Sequence, residues 1–149
     1  PESSAIIAYL AEHYPGPTKL IPAGGEAWRL HLWDRVHDLY LNMNVGKIVT
    51  DKLRPEGKKD PLGVDQAKEQ LGVALGIVDR EMEGKTWALG AAFTMADCAA
   101  APSLFYADML MPFADTHRHA AAYLERLKKR PSFARVLDEA KPYLAMMPK

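Results

Sequence analysis

The amino end of the chain carries residues suited to bind an anion. Glu2, Ser3 and Ser4 directly precede the apolar pattern of a first predicted helix. Free N–H groups at a helix start, together with a serine hydroxyl, can bind a carboxylate. The commoner alternative is a cap, in which the serine satisfies those N–H groups or the glutamate complements the helix dipole. The residues themselves leave both interpretations open.

A second helix start is marked by Thr94 and Asp97. With Thr94 as the cap, its side chain can accept a hydrogen bond from the N–H of Asp97, and the Asp97 carboxylate can reach back to the N–H of Thr94. Phe93 and Cys98 occupy the two staple positions on either side. This capping box predicts a buried helix start and, taken alone, no chemistry.

The chain contains one cysteine, Cys98. It lies in the first turn of that helix, where the helix dipole can lower the pKa of a thiol. Its staple position instead favours a buried, inert side chain, which is our prediction. A single cysteine cannot form an intramolecular disulfide, and this fits a reducing, cytoplasmic location.

Three potential metal ligands, His31, Asp34 and His37, are spaced three residues apart. Their side chains would spread over an arc of roughly 120° around a helix, which is too wide for a single ion without ligands from other elements. A second pair, His117 and His119, would point to different sides of a helix. We therefore predict no metal site.

The charge balance argues against a nucleic-acid partner. The 149 residues include 19 Lys and Arg against 19 Asp and Glu, which gives a net charge of zero. The basic run from Arg126 to Arg130 closes a predicted helix, where cations complement the dipole and stay solvated. No apolar run approaches the ~20 residues of a membrane span, so we also expect no membrane partner.

Helical periodicity extends over almost the whole chain and predicts an all-α bundle. The longest predicted helix, from about Glu26 to Leu53, has one apolar stripe that includes Trp28 and Met43 and a second apolar set that points elsewhere. A helix that is apolar on two faces must bury both, so we expect a partner subunit or domain. The other predicted helices cover about residues 6–14, 67–82, 95–111, 120–130 and 131–144.

Two glycines, Gly72 and Gly76, interrupt the pattern of the helix predicted at residues 67–82. Each costs about 1 kcal/mol relative to alanine in a helix interior. Close helix packing usually offsets that cost, so we expect a neighbouring helix to approach closely at these two positions.

Four parts of the chain resemble the cytosolic glutathione S-transferase family in their order and spacing. They are Glu2 to Leu10, Leu20-Ile21-Pro22, Trp87 to Asp97, and Tyr123-Leu124 with Arg130-Pro131-Ser132-Phe133. The match spans nearly the whole chain. The Glu-Ser helix opening and the Phe-Thr-x-Ala-Asp box are each moderate signals, and their joint occurrence at this separation is a strong one.

The resemblance implies how the chain is divided. Residues 1–15 would be the last helix of a truncated thioredoxin-like domain, residues 16–23 a linker, and residues 24–149 an all-helical carboxy-terminal domain. It also implies that Glu2 and Ser3 bind the γ-glutamyl end of glutathione. The residue that activates the thiolate would lie upstream, so we assign no catalytic residue here and expect negligible activity from the chain alone.

The resemblance further places a pocket for a second, electrophilic substrate between the long helix and the later part of the helix that begins at the capping box. The candidate lining residues are Tyr40, Asn44, Ile48, Tyr106 and Met109. Some family members also bind the glutathione amino group through an acidic residue of the second subunit. That position falls near Asn42, with Asp38 one turn earlier, so this sequence departs from the family's pattern there.

The function implied by the resemblance is that of a cytoplasmic, homodimeric glutathione S-transferase. It would transfer the thiolate of glutathione, its co-substrate, to a small electrophilic and largely apolar molecule. The alternative is a non-catalytic binding or assembly module, because the same helical domain occurs in family members that serve other roles.

Overall fold

A computed structural model describes residues 2–25 and 27–148, and within them the chain contains helices and no β-strand. The predicted all-α class is thereby confirmed. The predicted helix start near Glu26 and the terminal residues Pro1 and Lys149 lie outside the described residues. The elements are α1 (Ser3–His13), α2 (Ala27–Val36), a π-helical segment (His37–Asn42), α3 (Met43–Lys52), a 3₁₀ turn (Glu56–Lys58), α4 (Pro61–Glu81), α5 (Met95–Leu110), α6 (Arg118–Lys129) and α7 (Pro131–Leu144).

The first helix, α1, lies on the outside of the bundle. None of its residues is buried, although Ile7 packs against the core. Much of its apolar surface is open, since Ile6 is 50% and Tyr9 57% exposed. The helix ends where the sequence predicts, because Pro15-Gly16-Pro17 follows and cannot continue it.

The long predicted helix is a continuous helical run with the π-helical segment in its middle. Its buried face carries Leu30, Trp33 and Leu41. The stripe that includes Trp28 and Met43 is not buried within the chain, since both side chains are 63% exposed. Within the chain, one apolar face of the long helix is therefore covered, and a partner on the other face remains a prediction.

The central helix of the bundle is α5, in which eight of 16 residues are buried. Both halves of the predicted capping box are present at its start. The Asp97 carboxylate accepts the N–H of Thr94 at 2.7 Å and the Thr94 hydroxyl at 3.1 Å. It also accepts the N–H of Ala88 at 2.8 Å and the Tyr123 hydroxyl at 2.5 Å. This fully buried side chain thus joins the preceding loop and α6 to α5.

The start of α6 is capped from another helix. The cap residue His117 makes no side-chain hydrogen bond to the first turn. The Asp79 carboxylate of α4 instead accepts the N–H groups of His119 at 2.7 Å and Ala120 at 3.0 Å. This contact fixes α6 against α4, and the sequence gives no local sign of it.

The basic run at the end of α6 is less solvated than predicted. The Arg126 Nε atom donates to the carbonyl of Thr86 at 3.1 Å. The guanidinium of Arg130 lies 3.6 Å from the centre of the Phe93 ring, a cation–π contact. Both arginines attach α6 to the loop before α5. The prediction of a solvated run is wrong for Arg130, whose Nε atom is buried.

The prediction of close packing at the two glycines of α4 is also wrong. A Cβ atom at Gly72 would lie 3.9 Å from the Met111 side chain, and one at Gly76 would lie 3.8 Å from His117. These are ordinary contact distances, so both positions have room for a methyl group.

The remaining helix, α7, packs on α6 at the surface of the bundle, and none of its residues is buried. Its attachment includes Phe133, whose ring lies 6.3 Å from that of Phe105 on α5. Across residues 2–25 and 27–148, no helix combines the length and the apolar character needed to cross a bilayer.

Candidate functional site

The start of α1 is open to a ligand. Glu2 is the cap residue, with extended backbone angles, and it makes no side-chain hydrogen bond to the first turn. Ser3 is exposed. The N–H groups of this turn have no intrahelical partner, and the Glu2 side chain does not cap them. This geometry is suited to an anion, because N–H groups and the positive end of the helix dipole face outward together.

The next residue, Ser4, joins α1 to α2. Its hydroxyl lies 2.8 and 3.0 Å from the two carboxylate oxygens of Asp34, to which it donates. Asp34 is buried, and Arg35 donates to the same carboxylate at 3.1 Å. Sequence reasoning weighed Asp34 only as a metal ligand and missed this link. The available signal was an aspartate directly after Trp33 on an apolar helix face, which needs a partner if buried.

A cavity of about 250 Å³ lies beside the start of α1. Its polar lining comes from Ser3 and Ser4 of α1 and from Asp34, Asp38 and Asn42 of the long helix. Its remaining lining residues are Ile7, Met95, Cys98, Ala99 and Pro102. The start of α1, the π-helical segment and the first half of α5 therefore enclose one site.

Cys98 lines this cavity but is not an activated thiol. Burial, and then the neighbouring carboxylate of Asp97, raise the pKa of Cys98 to about 11. The thiol is therefore protonated at neutral pH, and a thiol is a poor nucleophile in that form. This agrees with the interpretation of Cys98 as an inert staple residue.

The histidines and Asp34 do not form a metal site in the structure. His37 is buried and its Nδ1 atom lies 2.8 Å from the Ser103 hydroxyl, whereas His31 is exposed. Burial lowers the pKa of His37 to about 4, so the ring is neutral at pH 7. Among the described residues, no group of three His, Cys, Asp or Glu side chains is placed to hold a metal ion.

The structure places the five candidate residues for the second-substrate pocket in different surroundings. Asn44 and Ile48 are buried, and the Asn44 amide donates to the carbonyl of Tyr40 at 2.8 Å. Tyr106 is half-buried against Phe105, while Met109 is 44% exposed. Tyr40 is 59% exposed and faces α4.

A second, larger groove lies on that side of the long helix and was not predicted. Its volume is about 590 Å³. It is lined by Val36, Tyr40, Glu69, Gln70, Val73, Ala74 and Ile77. Of these, Val73 and Ile77 are 63% and 42% exposed and stand one turn apart on α4. Apolar residues at that spacing on a second face were the signal available in the sequence.

The helical bundle and the box-capped central helix are those of the glutathione S-transferase carboxy-terminal domain type. The family model described as "Glutathione S-transferase, C-terminal domain" matches residues 38–131. The chain belongs to the glutathione S-transferase family.

Two relatives are similar over most of the chain. Glutathione S-transferase 3 of Zea mays is 31% identical over 143 residues, which cover 91% of this chain and 64% of the relative. FtsZ-localized protein A of Caulobacter vibrioides is 30% identical over 154 residues, covering 97% of this chain and 66% of the relative. The chain thus spans just under two thirds of the length of each.

Solved structures show the same fold. A structure of glutathione S-transferase III in apo form superimposes with a TM-score of 0.76 at 28% identity, covering 92% of this chain and 66% of the other. A glutathione S-transferase from Methylobacillus flagellatus with bound glutathione gives a TM-score of 0.82 at 22% identity, covering 91% and 68%.

Proposed function

We propose that this chain is part of a glutathione transferase in which the start of α1 binds the γ-glutamyl carboxylate of glutathione. The observation that carries the proposal is the uncapped first turn of α1, with Ser3 exposed beside a cavity, in a chain of this family. The Ser3 hydroxyl and the free N–H groups would take the carboxylate, and Glu2 would orient the γ-glutamyl head group. The bound glutathione in the Methylobacillus flagellatus protein supports a glutathione site in the family.

The same cavity offers a place for the amino group of glutathione. Asp38 and Asn42 line it together with Ser3 of their own chain. A carboxylate attracts an ammonium group, although Asp38 also accepts a hydrogen bond from Arg35 at 2.6 Å. The amino-group contact would then not require a residue from a second subunit.

Thiolate activation is assigned to no residue of the chain. Cys98, the one thiol, has a raised pKa. Tyr123 has its hydroxyl on Asp97, and burial raises its pKa well above the usual value, so it cannot serve as an accessible acid. We therefore propose that conjugation to an electrophile depends on a group outside residues 1–149, and that the chain alone is inactive.

A homodimer in the cytoplasm is the proposed working state. The exposed stripe of the long helix, with Trp28 and Met43 each 63% exposed, supports a partner surface there. Apolar area of this kind is stabilised when a second subunit covers it. The five candidate residues for the second substrate remain a proposal. Of these, Tyr106 and Met109 lie beyond Pro102 on α5, the helix that lines the cavity.

Titration of the ¹⁵N-labelled chain with glutathione, followed by NMR, tests the proposal. We expect shifts centred on the amides of Ser3, Ser4 and Ala5, with a dissociation constant in the millimolar range or weaker because the site is partial. Cysteinylglycine, which has the thiol but no γ-glutamyl group, serves as the matched control and should leave these amides unchanged.

Three results would contradict the proposal. They are equal responses to the two compounds, micromolar affinity for glutathione, and turnover of an aryl halide with glutathione at ordinary enzyme rates by the chain alone. A complete lack of response at α1 would instead favour the non-catalytic binding or assembly module.

A further inference from the structure

The helix that carries the proposed glutathione site has few attachments to the bundle. No residue of α1 is buried, and Ile7 is half-buried against the core. On the outer side, Ile6 is 50% and Leu10 is 47% exposed. A helix held by so little apolar contact depends on its polar attachments for its orientation.

The polar attachment at the start of α1 is the bond between Ser4 and Asp34. The hydroxyl contacts both carboxylate oxygens, at 2.8 and 3.0 Å, across 30 residues of sequence. Asp34 is only 4% exposed, so its carboxylate cannot exchange this partner freely for water. Hydrogen bonds to a buried charged group are among the stronger ones, and losing one leaves a costly unpaired acceptor.

The location of this bond relates it directly to the ligand site. Ser4 follows Ser3 in the same turn of α1, and both line the cavity with Asp34. Arg35, at 3.1 Å from the Asp34 carboxylate, supplies a compensating positive charge from the exposed side. The Asp34 carboxylate is therefore bonded to the first turn of α1 at the edge of the cavity.

We propose that Asp34 is a positioning residue for the glutathione site, acting through the Ser4 hydroxyl to hold the first turn of α1 beside the cavity. This inference rests on the proposed function. Asp34 sets the direction in which Ser3 and the free N–H groups face, and so determines how well a carboxylate is bound. Precise placement of donors matters because affinity at such a site falls steeply when donors are displaced.

The experiment compares Asp34→Asn, Ser4→Ala and the double variant in the ¹⁵N-labelled chain. Asparagine keeps the size of the side chain and removes the charge. We expect the initial slope of the glutathione-dependent shift at the Ser3 amide to fall about tenfold in each single variant. Ser4→Ala removes the bond between Ser4 and Asp34, and Asp34→Asn weakens it, because the amide oxygen still accepts but carries no charge. Since both changes act on one bond, the double variant should lose no more than Ser4→Ala alone.

Asp79→Asn is the matched control. It makes the same chemical change at Asp79, whose carboxylate caps the start of α6. Asp79 is far from α1 in the sequence. It should lower the unfolding midpoint while leaving unchanged the initial slope of the glutathione-dependent shift at the Ser3 amide. Amide hydrogen exchange of α1 in the ligand-free protein gives a second readout, which should accelerate in Asp34→Asn and not in Asp79→Asn.

The outcomes separate this inference from the proposed function. A wild-type slope retained in Asp34→Asn, or a loss matched by Asp79→Asn, would overturn the positioning role. If the wild-type chain shows no glutathione response at α1, the proposed function fails. Hydrogen exchange then decides whether Asp34 still positions α1, and unchanged exchange in Asp34→Asn would reject that as well.

Discussion

The starts of α1 and α5 contain similar residues, but the first is uncapped and the second is capped and buried. At α5, the carboxylate of Asp97 accepts four hydrogen bonds and is fully buried, so the helix start is closed. At α1, the cap residue Glu2 makes no side-chain hydrogen bond, and Ser3 is exposed beside a cavity. A hydroxyl and a carboxylate near a helix start therefore do not by themselves define a role.

What distinguishes the two starts is where their polar groups find partners. Those of α5 are satisfied within the chain, by the loop at Ala88 and by Tyr123 of α6, so their loss affects folding. At α1 the Ser4 hydroxyl is bonded to Asp34, whereas Ser3 and the N–H groups of the first turn face solvent and a cavity and are free to bind a ligand. Breaking each start separately should therefore change different measurements.

The largest effect is expected from Asp97→Ala. The substitution leaves the N–H of Ala88, the N–H of Thr94 and the hydroxyl of Tyr123 buried without their acceptor. Because each such group costs about 1–3 kcal/mol, the free energy of unfolding should fall by about 3 kcal/mol or more. Urea denaturation followed by circular dichroism measures this change.

The matched control for that experiment is Asp65→Ala. Asp65 is an aspartate on the exposed side of α4, 74% accessible and paired weakly with Lys68 at 3.5 Å. Its removal should leave the unfolding midpoint nearly unchanged. A loss of stability at Asp97 no greater than that at Asp65 would show that the α5 start is not the closed structure described above.

The next effect is a dependence of stability on pH, which arises from the buried side chain of His37. Burial lowers the pKa of His37 to about 4, below its ordinary value of 6.5. Between these two values the unfolded chain binds a proton that the folded chain excludes, so stability falls as the pH falls. From pH 6.5 to pH 5 the loss should be about 1.6 kcal/mol, measured as the shift in the urea midpoint.

His37→Gln separates this contribution from that of the carboxylates. The variant should be less stable at pH 7 because it disturbs the contact with Ser103. Its stability should nevertheless change little between pH 6.5 and pH 5. A pH slope as steep as that of the wild type would assign the dependence to other groups.

A smaller effect on stability is expected from substituting two glycines of α4, one at its start and one further along the helix. A Cβ atom at Gly63 would overlap the carboxylate of Asp60, which caps this helix by accepting the Gly63 N–H at 2.9 Å. Gly76 has room for a methyl group. Gly63→Ala should therefore lower the melting temperature, whereas Gly76→Ala should raise stability by up to about 1 kcal/mol.

Thermal unfolding of the two variants and the wild type measures these opposite changes in stability. If both substitutions stabilise the chain, then Asp60 does not close the α4 start in the way that Asp97 closes the α5 start. If both destabilise it, the space at Gly76 is filled by a neighbour in solution.

The sequence was sufficient for elements whose signals are local. The Thr94 to Asp97 box and the helix stop at Pro15 depend on residues within one turn, and both are found where predicted. The all-α class also follows from periodicity alone. For contacts between distant residues no local signal identifies the partner, which is why the bonds from Ser4 to Asp34 and from Asp79 to α6 were missed.

Three of the proposed second-substrate residues, Tyr40, Asn44 and Ile48, lie on the long helix and illustrate the same limit. Periodicity identified two apolar faces on the long helix without deciding which one the bundle covers. The structure buries Asn44 and Ile48 and leaves Tyr40 in a groove toward α4. Which face is covered depends on α4 and α5, and their positions are not written in the sequence of the helix itself.

The most direct test of the contrast between the two helix starts is to compare Ser3→Ala with Thr94→Ala, recording stability and the NMR response to glutathione for both. Ser3→Ala should keep the unfolding midpoint and lose the glutathione-dependent shifts at α1. Thr94→Ala should lose about 1 kcal/mol of stability and keep those shifts. If Ser3→Ala instead destabilises the chain and still responds to glutathione like the wild type, then the start of α1 is an ordinary cap, and the contrast drawn between the two helix starts is wrong.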